Sequence, residues 1–488
     1  MKLRTKFISA FGFTFVMGIL VCNLTASSQG NRDKETLERE KLIAASQTGA
    51  MPLFFDPVGE DIPTIVPGGF NSNHECYLRD GLPNFFNKAR KKQDLVIAYI
   101  GGSITRGNNL YRMQSAKFIR NMLPGLQLKF INAGISGTGT DLGACRVQEQ
   151  VLQYRPDLVF IEFAVNNAFP DGMEGMIRQI WKASPTTDIC LIYTIFNGQS
   201  KIYASGKTPL NIMGLEKIAD HYHVPSVHMG LEASVLEQDQ KLLWKAGTGT
   251  ETDKIIFSND GTHPITAGGN LYAQSIARSL VKMKDHAGAM KDQAKALKHQ
   301  LPQPLIADNW EDAKMFAPLD VAKFSTGWTG IDPKKSPEFR QFADWFPYIM
   351  KADAAGESFT FKFDGSMVGF FDIGGPEVGQ LILEIDGKPC TLQKQKGTLA
   401  LMAGYETKSS DPINRFNSFC NNRYRGQAEF IELPAGIHTI KFSISSIAAD
   451  KEAILGQNQL EDITDNPDKY HKTAVYIGKL LIRGDVIK

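Results

Sequence analysis

A chain of 488 residues exceeds what one ordinary hydrophobic core supports, so more than one domain is expected. Its hydrophobic fraction of 42% and charged fraction of 22% exclude a disordered or fibrous protein. A net charge of +2 gives no basis for a nucleic-acid or anionic-membrane partner.

The first residues, "MKLRTKF", are basic, "ISAFGFTFVMGILVC" is apolar, and "NLTASSQG" turns small and polar. That is the layout of a secretory signal peptide over 1–28, and it predicts an exported chain, periplasmic or extracellular, with no membrane span once it is cleaved. Lipidation at Cys22 is the competing reading, but "ILVC" lacks the small residue expected before a lipidated cysteine. The other cysteines (Cys76, Cys145, Cys190, Cys390, Cys420) are scattered, with neither a CxxC pair nor a zinc spacing. No metal or cofactor is therefore expected. A Cys390–Cys420 bridge is conceivable, but the sequence alone does not support it.

Residues 29–92 read as an N-terminal extension, rich in Pro and Gly at first, with one helix in "LPNFFNKARK". From 93 to 285 short apolar runs alternate with amphipathic ones. The runs at 95–100, 128–133, 158–164, 189–196 and 225–229 are nearly continuous, as strands buried on both faces of a parallel sheet are. Helical spacing appears between them, in "LYRMQSAKFIRNML", "MEGMIRQIWKAS", "LNIMGLEKIADHY" and "TAGGNLYAQSIARSLVKMK". Such alternation implies right-handed βαβ units and a three-layer α/β domain. "KDQAKALKHQLPQP" then reads as a solvated helix running into a linker over 286–305. Beyond 306 short β-rich runs bounded by Gly, Pro and Asp predict an all-β sandwich domain, jelly-roll-like in its strand grammar, to residue 488.

An open parallel sheet builds its site beyond the carboxyl ends of its strands. There this chain places "GGSIT" with Ser103, "NAGISGTGTDLG" with Gly134, Gly137 and Gly139, and "EFAVNNA" with Asn166 and Asn167. The last block, before the final helix, is "FSNDGTHPITAGG", with Asp260 and His263. A serine hydroxyl needs an imidazole to take its proton, and the imidazole needs a carboxylate to fix its tautomer. Ser103, His263 and Asp260 supply those three types. Glycine-turn N–H groups and an amide side chain supply donors for an oxyanion. Taken alone, Gly-Gly-Ser is an ordinary turn, a lone Asn is a cap or turn former, and "DGTHP" could be a capped helix start or part of a metal site. What carries the reading is all four types, in order, at successive strand ends.

These blocks resemble the SGNH (GDSL-type) hydrolases, a superfamily of esterases and acetylesterases. The resemblance runs from about Leu95 to Lys284, and "GGSIT" is similar to an exported bacterial branch that carries extra β-domains. It implies a flavodoxin-like sheet and hydrolysis through an acyl-serine intermediate. By motif position it implies Ser103 as nucleophile, His263 as base and Asp260 as its orienter. The Ser103 and Gly137 N–H groups and the Asn166 side chain become the oxyanion donors. Two positions depart from the family pattern: Gly102 stands for Asp in the first block, and Asn167 for Asp in the third.

The substrate the resemblance implies is an O-acetylated polysaccharide or oligosaccharide. A lipid or thioester hydrolase, or a glycan-binding protein that has lost activity, are the alternatives. Arg106, Arg112 and Arg146 flank the first two blocks and could meet a substrate carboxylate such as a uronic acid, or make ion pairs only. Trp244 could wall the pocket. Trp328, Trp345, Phe346 and Tyr348 could stack on sugars but suit packing better. "SGKT" at 205–208 lacks the upstream glycine of a phosphate loop, "GTGTDLG" misses the dinucleotide fingerprint, and His221, His223 and His228 straddle a helix end and a strand, so none of these is read as a site.

Overall fold

The computed structural model describes residues 34, 36–48, 51–108, 110–247, 252–289, 295–395, 398–401 and 410–488. The expected export segment and Cys22 lie outside the described residues. No helix among the described residues is long and apolar enough to cross a membrane.

Seven strands form the first sheet: β1 (Phe54–Phe55), β2 (Cys76–Tyr77), β3 (Leu95–Gly101), β4 (Leu128–Gly134), β5 (Leu158–Glu162), β6 (Asp188–Tyr193) and β7 (Ser226–His228). Their order is β1-β4-β3-β5-β6-β7-β2. The inner five are parallel, which is why their runs are apolar on both faces. The two edges are antiparallel and come from the N-terminal extension, which closes the sheet at both ends. The order reverses between β3 and β5, with β4 lying outside β3, so the switch point of this flavodoxin-like sheet falls beside the end of β3.

Helices gather in two layers. Tyr111–Met122 packs with Thr266–Ala289, while Thr140–Gln150 packs with Pro170–Ala183 and the latter with Leu210–His221. The strand runs read to 164 and 196 leave the ladder earlier, at Glu162 and Tyr193. Phe163, Ala164 and Ile195 remain buried and apolar after the chain has turned, so hydropathy alone runs past the strand end.

The segment expected to be a solvated helix and linker differs. The final helix continues to Ala289, and residues 295–304 are not helical but pinned to the first domain. His299 Nε2 meets Asp188 Oδ1 at 2.8 Å, and its ring stacks on Trp181 at 4.8 Å. The Leu305 and Ile306 N–H groups donate to Glu174. Partners far along the chain create this strap, which local composition does not encode.

Twelve hydrogen-bonded strands make up the second, mainly antiparallel sheet region. Its long members are Ser358–Gly374, Arg425–Ile444 and Val475–Ile487. Phe359, Phe361 and Phe363 point into one apolar cluster; after a register shift at Gly365/Met367, Val368 and Phe370 do so instead. The bulge exchanges odd for even positions and keeps one face buried across the bend. The alternate residues Met367, Phe371 and Ile373 join the core of the first sheet. Trp328, Trp345 and Phe346 are buried packing residues, as their context suggested. Cys390 and Cys420 are both free thiols, each hydrogen-bonded elsewhere, so they do not form a bridge.

Candidate active site

Ser103 opens a one-turn helix, Ser103–Arg106, directly after β3. The turn is held from below by Glu162, the last residue of β5 and completely buried. Thr105 Oγ1 donates to Glu162 Oε2 at 3.0 Å, and Tyr111 OH lies 2.6 Å from the same Thr105 oxygen. Burial pushes the Glu162 carboxyl up, while hydrogen bonds from Thr194, Thr105 and the Ala164 and Gly102 N–H groups oppose that shift. Arg112 donates to the carbonyls of Thr105 (2.8 Å) and Gly107 (3.3 Å), and Arg146 to those of Ala133 and Gly101. Both guanidiniums are wholly buried, so neither has surface left for a substrate. They clamp the loops that carry Ser103.

On the opposite side, Ser103 Oγ lies 2.7 Å from His263 Nε2, and His263 Nδ1 lies 2.6 Å from Asp260 Oδ2. Asp260 Oδ1 accepts the N–H groups of Thr262 and His263, both at 2.8 Å, and the Ser258 hydroxyl at 3.0 Å. Partial burial alone would raise the Asp260 carboxyl. The His263 imidazole and the two N–H groups outweigh it and hold this carboxyl well below the usual range. An ionised Asp260 accepts from Nδ1–H, which leaves Nε2 as the acceptor facing the serine. Both side chains are about half exposed, so the arrangement opens to solvent.

The loop that carries this pair rests on two paired strands, β8 (Leu242–Lys245) and β9 (Ile255–Ser258). Trp244 does not wall a pocket. It is buried, stacks on Phe257 at 4.1 Å, and its Nε1–H donates to the Gly261 carbonyl at 2.9 Å. The large ring braces the His263 loop from beneath.

Of the expected oxyanion donors, Asn166 lies against the start of the same turn, at Gly102. Gly102 leaves no room for a side chain, because a Cβ there would fall 2.6 Å from Asn166 Oδ1. The departure from Asp at this position thus coincides with Asn166 filling the space. Asn167 has φ +38°, a left-handed conformation that Asn tolerates, and its carbonyl accepts from Thr140 N–H and Oγ1. Gly137 has φ +72°, and a Cβ there would lie 2.0 Å from Arg425 Nη2 of the second sheet. Arg106 is buried; its Nη2 is 3.5 Å from Gln341 Oε1 and its guanidinium lies over Trp345 at 4.9 Å.

Glu162 and Arg425 escaped the sequence reading. Glu162 left a trace, as the one charged residue in "LVFIEFA". Arg425 left none, since nothing local links a strand near the carboxyl end to the turn after β4. His221 and His228 are structural: the former meets the Gln303 carbonyl, and the latter is buried against Tyr203 OH at 2.7 Å.

Residues 99–270 match the GDSL-like Lipase/Acylhydrolase family. None of the curated proteins matches the chain. Among solved structures, the chain is similar to a two-domain esterase (CEX) active on acetylated mannans, co-crystallized with mannopentaose. The identity is 19% and the TM-score 0.56, over 83% of this chain and 94% of that one. A second structure of a two-domain esterase (CEX) active on acetylated mannans gives 19% identity and a TM-score of 0.55, over 85% and 97%. The likeness spans both sheets and shows a shared two-domain fold. The stretch matched to the GDSL-like Lipase/Acylhydrolase family, 99 to 270, holds Ser103, Gly137, Asn166, Asp260 and His263.

Proposed function

We propose that this protein is a serine esterase that removes O-acetyl, or similarly small acyl, groups from a polysaccharide outside the cytoplasm. The observation that carries this reading is the unbroken hydrogen-bonded chain Ser103–His263–Asp260 at the carboxyl end of the parallel sheet. The polysaccharide is suggested by the two-domain likeness to esterases active on acetylated mannans. Export is suggested by the signal-like layout of residues 1–28.

In this mechanism His263 Nε2 takes the Ser103 proton as Oγ attacks the acyl carbonyl. Asp260 holds the imidazole in the required tautomer and stabilises the imidazolium that forms. The Ser103 and Gly137 N–H groups and the Asn166 side chain receive the oxyanion, each such donor contributing about 3–4 kcal/mol in the transition state. As the acyl C–O bond breaks, the His263 imidazolium gives that proton to the departing sugar oxygen, which leaves as a hydroxyl. Water, activated by the same imidazole, releases acetate from the acyl-serine.

The test is acetate release from a panel of acetylated polysaccharides by wild type and Ser103→Ala. Release that Ser103→Ala abolishes supports the esterase. If wild type releases nothing and p-nitrophenyl acetate stays intact, the reading fails.

A further inference from the structure

Buried and half-buried arginines in this protein almost all have carboxylate or carbonyl partners. Arg79 pairs with Glu216 and Asp220, Arg278 with Glu75 and Glu232, and Arg483 with Asp308 and Asp312. Arg112 and Arg146 spend their donors on main-chain carbonyls. Among the described residues two arginines break the pattern, and both lie near the candidate active site.

Arg106 follows Ser103 by three residues, and its Nε is buried with no hydrogen-bond partner among the described residues. Its contacts are a long one to Gln341 Oε1 and the face of Trp345. Arg425 arrives from the second sheet and reaches the Gly137 turn, where its Nη2 occupies the space a Cβ would take. Its guanidinium lies over the Phe419 ring at 4.9 Å, and no carboxylate pairs with it among the described residues. Asp372 and Glu429, of the same sheet region, are both taken by Arg415. Gln341 ties the two elements together, accepting from Arg106 and donating to the Tyr424 carbonyl at 2.9 Å.

Burial lowers Arg106 to about 10, and the like charges of Arg425 and Arg423 push the same way. Three guanidiniums that repel one another, with no acid paired to Arg106 or Arg425 among the described residues, are unfavourable unless something negative arrives. An Arg fork recognises a carboxylate or sulfate bidentately, which a Lys would not.

We propose that Arg106 and Arg425 form an anion-recognition subsite, built jointly by the two domains beside the Gly137 turn, for a carboxylate or sulfate group on the sugar chain that carries the ester. This deepens the esterase reading above and rests on it for the word ester. The second sheet then selects substrate directly, by supplying Arg425 at the position where the acyl-bearing sugar docks. The Phe419 ring, 62% exposed, backs the guanidinium and leaves an aromatic face to solvent at the same rim.

The test is calorimetric binding of oligosaccharides to the full-length Ser103→Ala variant, which needs no turnover. The probes are oligogalacturonate, a sulfated galactan oligosaccharide and neutral mannopentaose. At least one anionic oligosaccharide is expected to bind about tenfold or more tighter than mannopentaose. That advantage should shrink with added salt and vanish in Ser103→Ala/Arg425→Ala, while Ser103→Ala/Arg425→Lys retains part of it. Which anionic probe binds distinguishes carboxylate from sulfate. Equal or weaker binding of both anionic probes overturns the subsite, as does an anionic preference that survives Arg425→Ala. A companion assay with wild type and p-nitrophenyl acetate reports on the esterase separately. No hydrolysis there, with anion-selective binding intact, would sink the esterase and spare the subsite.

Discussion

Thr105 Oγ1 donates to Glu162 Oε2 across the ends of β3 and β5, tying the Ser103 turn to a carboxylate that no solvent reaches. The same carboxylate accepts from Thr194 Oγ1 and from the Gly102 N–H beside Ser103. Glu162→Gln keeps the shape but replaces one acceptor oxygen with a donor, leaving at least one buried N–H or hydroxyl unmatched. The expected cost is about 1–3 kcal/mol of stability. Since the Ser103 turn would shift rather than the substrate pocket, kcat should fall with little change in KM. Thermal unfolding together with steady-state kinetics on p-nitrophenyl acetate checks both. A variant as active and as stable as wild type would remove Glu162 from any positioning role.

Asp260 gives a pH signature with a definite sign. Its carboxyl is held below the unfolded value of about 3.9, so its stabilising contribution is fully present above that pH and is lost as pH falls toward the folded value. Asp260→Asn should therefore flatten the loss of stability below about pH 4. At higher pH the Asp260 carboxylate stays ionised, so it should add no inflection of its own to kcat/KM there. Asp260→Asn should also lower kcat by about 10⁴-fold, because the amide favours the wrong imidazole tautomer. Urea unfolding across pH 2.5–7 and a pH–rate profile are the measurements. Full activity in Asp260→Asn would show that His263 is oriented by something else.

Gly137 faces two constraints that substitution can separate. Its φ of +72° costs any L side chain about 1–2 kcal/mol, and a Cβ would meet Arg425 Nη2. The second obstacle is the end of a flexible side chain, so it yields; the backbone cost does not. Gly137→Ala is thus expected to lose about 1 kcal/mol of stability both in wild type and in Arg425→Ala. Its kcat should fall in both backgrounds, as the Gly137 N–H moves from its proposed oxyanion position. Chemical denaturation of the four variants of this cycle tests additivity. A stability loss confined to the Arg425 background would mean that the clash, not the conformation, dominates.

The sequence was legible where function depends on position along a strand. Ser103, Gly137, Asn166, Asp260 and His263 each follow an apolar run or precede a helix, so periodicity placed them at one sheet edge before any distance was known. It failed where side chains act across long separations. Arg112, Arg146 and Trp244 sit close in sequence to the expected site residues, and proximity suggested substrate contact. Burial instead gives each a main-chain carbonyl to hold. Arg425 is the converse: it lies in a strand with ordinary alternation, and only the packing of one sheet on the other brings it to Gly137. The strap at 295–304 was misread for the same reason, since a Lys- and Gln-rich composition says nothing of His299 stacking on Trp181.

That packing also predicts how the chain unfolds. Met315, Trp345, Phe346, Phe371 and Tyr476 of the second sheet region belong to the same buried cluster as β3–β6 and their helices. Lys479, almost fully buried, pairs with Glu149 of the helix Thr140–Gln150 at 2.6 Å, and Trp310 packs edge-on to Phe430 at 5.3 Å. The N-terminal extension crosses the boundary as well, with the Leu53 N–H donating to Asp344 and the Ser46 hydroxyl accepting from Tyr424 N–H. Each buried aromatic covers about 150–250 Å², so uncovering the four of them (Trp345, Phe346, Phe371 and Tyr476) exposes about as much apolar surface as, or more than, the largest patch a soluble monomer ordinarily shows. A chain ended after residue 305 should therefore aggregate or populate a partly folded state, although it keeps Ser103, Asp260 and His263. The full chain should melt in a single transition, the two sheets losing structure together. Differential scanning calorimetry of the full chain, with solubility and circular dichroism of the shortened one, decides the matter. Two resolved transitions, or a soluble and active shortened chain, would show that the sheets are independent folding units.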